Sequence, residues 1–262
     1  MNIVKNIFKR LLALIAIAYV GYAIFALFFA HPLIFPAPKP TYQDSKHIMK
    51  LTLEDGSEIS ARYWPNPEAE HTLLYSHGNG QDIGMITPLM EKYQAAGWAV
   101  LAYDYPGYGT SHGEPSEEGC YQAVNAAYAH LTETLDIDPS EIVLYGYSLG
   151  SGPSTDLARR EPVAGLIVEG AFVSIHGVYT RYNPLPWNVF NNICKLEEIE
   201  VPSLFIHGTE DTVVAFWNGQ ALYKASQARK MALWAEGAAH GNLIDLEGER
   251  YWNTLEKFKN SL

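Results

Sequence analysis

Residues 144–152 read LYGYSLGSG and set Ser148 two positions after Gly146 and two before Gly150. A serine hydroxyl is a weak nucleophile until a base takes its proton, and the base needs a third group to hold its tautomer and steady its charged form. The segment therefore asks for a histidine and a carboxylate from elsewhere in the chain. EIVLYG, before Ser148, suits a buried parallel strand, and LGSGPSTDLARR suits a helix that begins immediately after it. A strand that turns sharply into a helix at a serine strains the serine's backbone and lifts Oγ above the strand ends. Small residues two before and two after make room for that turn, the nucleophile elbow.

In chain order such an elbow is followed by an acid and then a histidine, each just past a later strand. SLFIHGTEDTVV supplies Asp211, with the adjacent Glu210 as an alternative acid, and ALWAEGAAHGN supplies His240. Of the nine histidines, His240 alone follows Asp211. His77 and His207 each end a strand-like run before glycine, where local hydrogen bonding accounts for them, and Glu236 reads as a solvated loop charge. The oxyanion of a tetrahedral intermediate needs two backbone N–H donors, and losing one costs about 3–4 kcal/mol of transition-state stabilisation. Leu149, directly after the serine, provides one. The other is expected from Asn79, with Gly80 as neighbour, because SHGNGQD follows the strand-like HTLLY and its glycines let the chain approach the serine. No Gly-Lys-Ser/Thr phosphate loop follows these glycines, DYPGYGTSHG lacks the G-x-G-x-x-G spacing, and no H-E-x-x-H pattern occurs, so neither a cofactor nor a metal is expected.

The elements that must carry these residues are legible in outline. Two β-like runs flank Asp55-Gly56, a tight-turn dipeptide, in KHIMKLTLEDGSEISARYW. Apolar runs then alternate with segments of helical period: HTLLYSH, DIGMITPLMEKYQAAG, WAVLAYDY, SEEGCYQAVNAAYAHLTETL, EIVLYGY, LGSGPSTDLARR and VAGLIVEG. This rhythm predicts an α/β domain with a mostly parallel sheet and helices on both faces, over residues 47–262. Ser116 ahead of Glu117 and Glu118 marks a helix start. An aromatic and proline-rich stretch at about 171–200 interrupts the rhythm and is the candidate lid. Phe172, Tyr179, Tyr182, Trp187 and Phe190 in it are candidates for an apolar substrate wall. PSLFIHG and RKMALWA read as strands, and a C-terminal helix is expected from about Tyr251.

The first thirty residues are different in kind. Leu11 to Ala30 is an uncharged apolar run that spans about 30 Å as a helix, the thickness of a bilayer core. It predicts a membrane anchor over residues 1–30. A cleaved signal peptide is the competing reading, but the run outlasts the roughly 7–15 apolar residues of such a peptide. Lys5, Lys9 and Arg10 place the N-terminus in the cytoplasm and the large domain outside it. Residues 31–46 form a connector that begins HPLIFPAPKP, with four prolines in ten residues. The net charge of −11, without any basic cluster, excludes the electrostatic footprint of a nucleic-acid binder. Cys120 and Cys194 are too few for a disulfide framework.

SHGNG, DYPGYGTSHGEPSEEG, GYSLGSG, HGTEDTVV and EGAAHGN occur in that order over residues 71–245. Together they resemble the α/β-hydrolase superfamily, and with the N-terminal helix and HPLIFP they are similar to its single-pass, membrane-anchored ABHD/Bem46-like branch. The resemblance implies Ser148, Asp211 and His240 as a catalytic triad and Asn79 and Leu149 as the oxyanion hole. It implies a serine hydrolase that cleaves carboxylic esters or thioesters through an acyl-enzyme, on small-molecule or lipid acyl substrates beside a membrane. A serine peptidase or aminopeptidase uses the same triad and is the alternative enzyme; a silent hydrolase fold used for binding is the alternative outside enzymology.

Overall fold

The computed structural model describes residues 2–28, 31–179 and 185–262. Two compact units divide the chain, Met1–Pro36 and Ala37–Leu262. In the first, α1 (Asn2–Phe28) is followed by a short helix, α2 (His31–Ile34), where the sequence predicted only a proline-stiffened connector. Within α1, Val4–Ala26 is long and apolar enough to cross a membrane, and none of its residues is buried.

The second unit is built on one sheet. It opens with β1 (Met49–Thr52) and β2 (Glu58–Trp64), paired antiparallel with Leu51 opposite Ile59. Gly56 makes the turn between them at a φ of 83°, a conformation without steric cost only for glycine. There follow β3 (Thr72–Ser76), α3 (Ile83–Ala95), β4 (Ala99–Tyr103), α4 (Glu117–Ala129), β5 (Ile142–Tyr147), α5 (Ser151–Arg160) and β6 (Gly165–Glu169). The chain continues through α6 (Ile175–Tyr179), α7 (Asn192–Leu196), β7 (Ser203–Gly208), α8 (Trp217–Ala225), β8 (Lys230–Ala235), α9 (Leu243–Glu247) and α10 (Glu249–Lys259). The eight strands lie in the order β1-β2-β4-β3-β5-β6-β7-β8. β2 meets β4 antiparallel and every later pair is parallel. This is the α/β architecture expected from the alternating pattern, and the short helices α6 to α9 in the second half add to it.

The central strands β3, β4 and β6 are buried at every position, which is why they read as unbroken apolar runs without alternation. One face carries Leu73, Tyr75, Val143, Tyr145, Ile167, Leu204 and Ile206 against Met90 and Tyr93 of α3 and Tyr251, Leu255 and Phe258 of α10. Burying each such aliphatic side chain contributes about 1.5–3 kcal/mol. α4 starts where the sequence placed it: Ser116 Oγ accepts from Gly119 N at 2.9 Å, and Glu117 and Glu118 occupy the positive end of the helix.

The register matters most for function. Ser76 lies opposite Gly146, and Tyr147 opposite Glu169, so β3, β5 and β6 end at one edge of the sheet. In open α/β sheets ligands bind outside the carboxyl ends of the strands, and every candidate site residue up to this point of the chain follows one of these ends.

Candidate active site

Ser148 directly follows β5 and opens a single 3₁₀ turn, Ser148–Gly150, that leads into α5. Its φ is 50°, in the left-handed region that costs a side-chain-bearing residue about 1–2 kcal/mol. The flanking glycines are required by contact. A Cβ on Gly146 would lie 2.6 Å from the Gly150 carbonyl oxygen, and one on Gly150 would overlap the Ser76 carbonyl. The elbow is thus wedged against the end of β3.

His240 and Asp211 arrive from the two strands beyond. Thr209 N donates to Ala235 O at 2.9 Å and Glu210 N to Ala238 O at 3.0 Å, so the loops after β7 and β8 are laced together. Ala239 N donates to Asn242 Oδ1 at 2.8 Å and shapes the turn that presents His240. Ser148 Oγ stands 2.9 Å from His240 Nε2, and His240 Nδ1 stands 2.6 Å from Asp211 Oδ2. Glu210, the alternative acid, is exposed. The three residues singled out from spacing are therefore brought into one hydrogen-bonded line.

Asp211 is prepared for its place. Its Oδ1 accepts from the Val213 and Val214 N–H groups, both at 2.8 Å, and its carboxylate is fully shielded from solvent. Burial opposes its ionisation, but the contacts with His207 and His240 and the backbone bond from Val214 outweigh burial and hold the carboxyl well below the usual range. His207 is a residue whose role spacing did not reveal. Its Nε2–H donates to Val214 O at 2.8 Å and lies 3.4 Å from Asp211 Oδ2. Its position four residues before the acid, at a strand end, was the available signal.

Tyr147, the residue before the serine, is a second addition. Its ring lies 5.3 Å from the imidazole of His240 and its hydroxyl donates to His240 O at 3.1 Å. On its other side, a Cβ on Gly78 would sit 2.7 Å from the Tyr147 ring, so the loop after β3 packs against the elbow. That loop carries Asn79, whose Oδ1 accepts from the Tyr108 hydroxyl at 2.7 Å, and Gly80 with a φ of 72°. Gly78 N donates to Gln81 Oε1 at 2.9 Å, and Tyr105 donates to His77 O at 2.7 Å. Asn79 and Leu149 thus lie on the two segments that flank Ser148.

Behind this loop stands a polar hub. Asp104 Oδ1 accepts from Ile83 N at 2.9 Å and lies 3.3 Å from His77 Nε2, while Asp104 Oδ2 accepts from the Tyr42 hydroxyl at 2.6 Å. Asp82 caps α3, accepting from Met85 N at 2.9 Å, and also accepts from Thr41 N at 2.7 Å.

The aromatic candidates separate. Phe172 and Phe190 are 2 % and 0 % exposed and meet edge to face, and Phe190 packs on Gly152 of α5 and the edge of Tyr121. These two rings hold the stretch after β6 onto the domain. Trp187 is half-buried. Tyr179 ends α6, and Tyr182 lies outside the described residues. Among the described residues no cluster of metal-ligating side chains occurs.

Comparison with known proteins agrees with this architecture. The family model described as "Serine aminopeptidase, S33" matches residues 67–195. The chain is 37 % identical over 198 residues to the α/β hydrolase domain-containing protein 17B of Xenopus tropicalis, covering 74 % of this chain and 67 % of that protein. The Homo sapiens protein of the same name is also 37 % identical, with the same coverage. Among solved structures, the Pyrococcus furiosus esterase Pf2001 superposes with a TM-score of 0.73 at 18 % identity, covering 86 % of this chain and 98 % of the esterase, a likeness of fold. The eight-stranded sheet, the elbow at its centre and these relatives together place the chain in one family: it belongs to the α/β hydrolases.

Proposed function

We propose that this chain is a serine hydrolase that cleaves carboxylic ester or thioester bonds through an acyl-enzyme, with Ser148 as nucleophile, His240 as general base and acid, and Asp211 as the group that orients it. The observation that carries this reading is the continuous line Ser148 Oγ, His240 Nε2, His240 Nδ1, Asp211 Oδ2, with spacings of 2.9 and 2.6 Å, at a serine held at positive φ.

His240 Nε2 takes the Ser148 hydroxyl proton as Oγ bonds to the acyl carbon, and Asp211 accepts from Nδ1–H and steadies the imidazolium. The oxyanion is received by the N–H groups of Leu149 and Asn79. The alcohol or thiol leaves with the proton from Nε2. Water, deprotonated by the same nitrogen, then attacks the acyl carbon, releases the acid and restores Ser148. Val213, Val214 and His207 keep Asp211 ionised and fixed, so this step needs no rearrangement of the acid.

The apolar helix Val4–Ala26 supports action on acylated or lipid substrates beside a membrane, and Lys5, Lys9 and Arg10 at its start support an N-terminus in the cytoplasm with the hydrolase domain on the other side. Protease digestion of sealed vesicles tests that orientation: the domain is expected to be protected when the cytoplasmic face is outward.

Labelling by a fluorophosphonate tests the chemistry. The full chain is expected to be labelled and Ser148→Ala unlabelled; no labelling of either protein overturns the proposal. A peptidase is the second reading, favoured by the description of the matching family model. Chromogenic esters of increasing chain length, a thioester and an aminoacyl amide, assayed side by side, separate the two.

A further inference from the structure

A cavity of about 170 Å³ adjoins the candidate active site without including Ser148 in its lining. Tyr75, Tyr93 and Glu169 form its buried part, Tyr147 is half-buried beside them, and Lys92 and Asp245 stand exposed at its rim. Glu169 is the last residue of β6, an acid at the end of an otherwise apolar strand. Both hydroxyl hydrogen bonds that its carboxyl accepts, from Tyr145 and from Tyr251 at 2.8 Å, fall on Oε2. Among the described residues neither Glu169 Oε1 nor the Tyr75 hydroxyl has a protein partner, and neither is closed off from solvent. Glu169 and Tyr75 are otherwise buried, so two oxygens left open on residues that line one cavity offer acceptors to an occupant that donates hydrogen bonds.

The charge of that occupant follows from its surroundings. The Tyr147 hydroxyl is spent on His240 O, and those of Tyr93, Tyr145 and Tyr251 are bonded to one another or to Glu169. The buried part therefore offers an anion little to bind, and the exposed residues that line the cavity include both a cation, Lys92, and an acid, Asp245. A carboxylate among aromatic rings is the composition that receives organic cations, since ring faces and carboxylate both attract positive charge. Liquid water takes about 30 Å³ per molecule, so the space suits an occupant equal to about five waters, beyond the size of a lone ion.

We propose that this cavity binds a small primary alkylammonium, its N–H groups on Glu169 Oε1 and the Tyr75 hydroxyl and its methylene groups among the rings of Tyr75, Tyr93 and Tyr147. The site is separate from the Ser148 nucleophile, and Ser148→Ala binds the cation as the unsubstituted chain does. Tyr147 and Gly241, the neighbours of Ser148 and His240, both border it.

Calorimetric titration of the full-length Ser148→Ala chain in detergent micelles with n-butylammonium chloride, and separately with n-butanol, tests the site at fixed ionic strength. Saturable binding of the ammonium is expected, with none of the alcohol. Glu169→Gln, added to that chain, is expected to weaken binding about tenfold or more, the loss of a charge-assisted partner. Leu89→Trp, which fills the cavity from a partly buried wall position and leaves Glu169 intact, is expected to abolish it. Circular dichroism of each variant, and its fluorophosphonate labelling with Ser148 restored, report whether the fold survives; should Glu169→Gln unfold, Leu89→Trp decides. Absence of saturable ammonium binding, equal binding of the alcohol, or affinity undiminished in a folded variant overturns the proposal.

Discussion

Gly170 lies against the imidazole of His240: a Cβ at position 170 would stand 2.8 Å from His240 Cε1, and Gly170 has a φ of 57°. The residue after β6 is thus a floor for the ring that must face Ser148. Gly170→Ala is expected to tilt the imidazole and lower kcat for ester hydrolysis by about 10²-fold, the scale of a misplacement near 1 Å. Unfolding stability is expected to drop by about 1–2 kcal/mol from the left-handed backbone. Steady-state kinetics with a chromogenic ester and urea unfolding check both; unchanged kcat would show that the ring does not depend on this floor.

Ser148 carries strain at a φ of 50° for the sake of its hydroxyl's position. Ser148→Gly removes the proposed nucleophilic hydroxyl together with the steric cost, whereas Ser148→Ala removes only the hydroxyl. Both are expected to be inactive, and the glycine variant to unfold at a temperature above that of the alanine variant, by up to about 1–2 kcal/mol in stability. Differential scanning calorimetry of the pair measures this difference; equal midpoints would mean the elbow is unstrained.

Asp211 and Glu169 are two buried carboxyls with opposite pH signatures. Asp211 titrates well below its unfolded value of about 3.9, so its contribution to stability is present above pH 4 and is lost as pH falls through the folded value. Glu169 is raised, by burial first, against the hydrogen bonds from Tyr145 and Tyr251. The folded state therefore holds its proton longer, and stability is lost as pH rises from about 4.3 through the folded value. Urea titrations are expected to show the deficit of Asp211→Asn holding steady from pH 7 to about pH 5 and shrinking as pH falls below about 4. Glu169→Gln is expected to improve relative to the unsubstituted protein as pH rises from about 4 to 7. Asp211→Asn is also expected to lower kcat about 10⁴-fold by releasing the wrong tautomer of His240.

Asp82 joins three segments: it caps α3 through Met85 N, holds Thr41 N at 2.7 Å, and follows the loop that carries Asn79. Asp82→Ala is expected to cost about 0.5–2 kcal/mol as a lost cap. The accompanying loosening of the 77–81 loop is expected to lower kcat more than it raises KM, because the oxyanion donor proposed at Asn79 would act on the transition state. A variant with unaltered kcat would separate the cap from the oxyanion loop.

The chain by itself determined the local matters. Full burial on both faces makes strands read as apolar runs, so the parallel sheet was legible from VAGLIVEG and its fellows. The glycines around Ser148 announced a turn that only small neighbours permit, and Ser116 announced a helix start. The chain order of Ser148, Asp211 and His240 also followed from strand ends, because in a parallel sheet those ends share one edge. What only the tertiary structure decided were contacts between residues distant in sequence. Tyr147 lying on His240, the packing of Phe190 onto Gly152, and Glu169 meeting Tyr251 across 82 positions arise from strand register and helix docking. Those are set by the packing of the whole core, and side-chain periodicity along one segment carries no record of them.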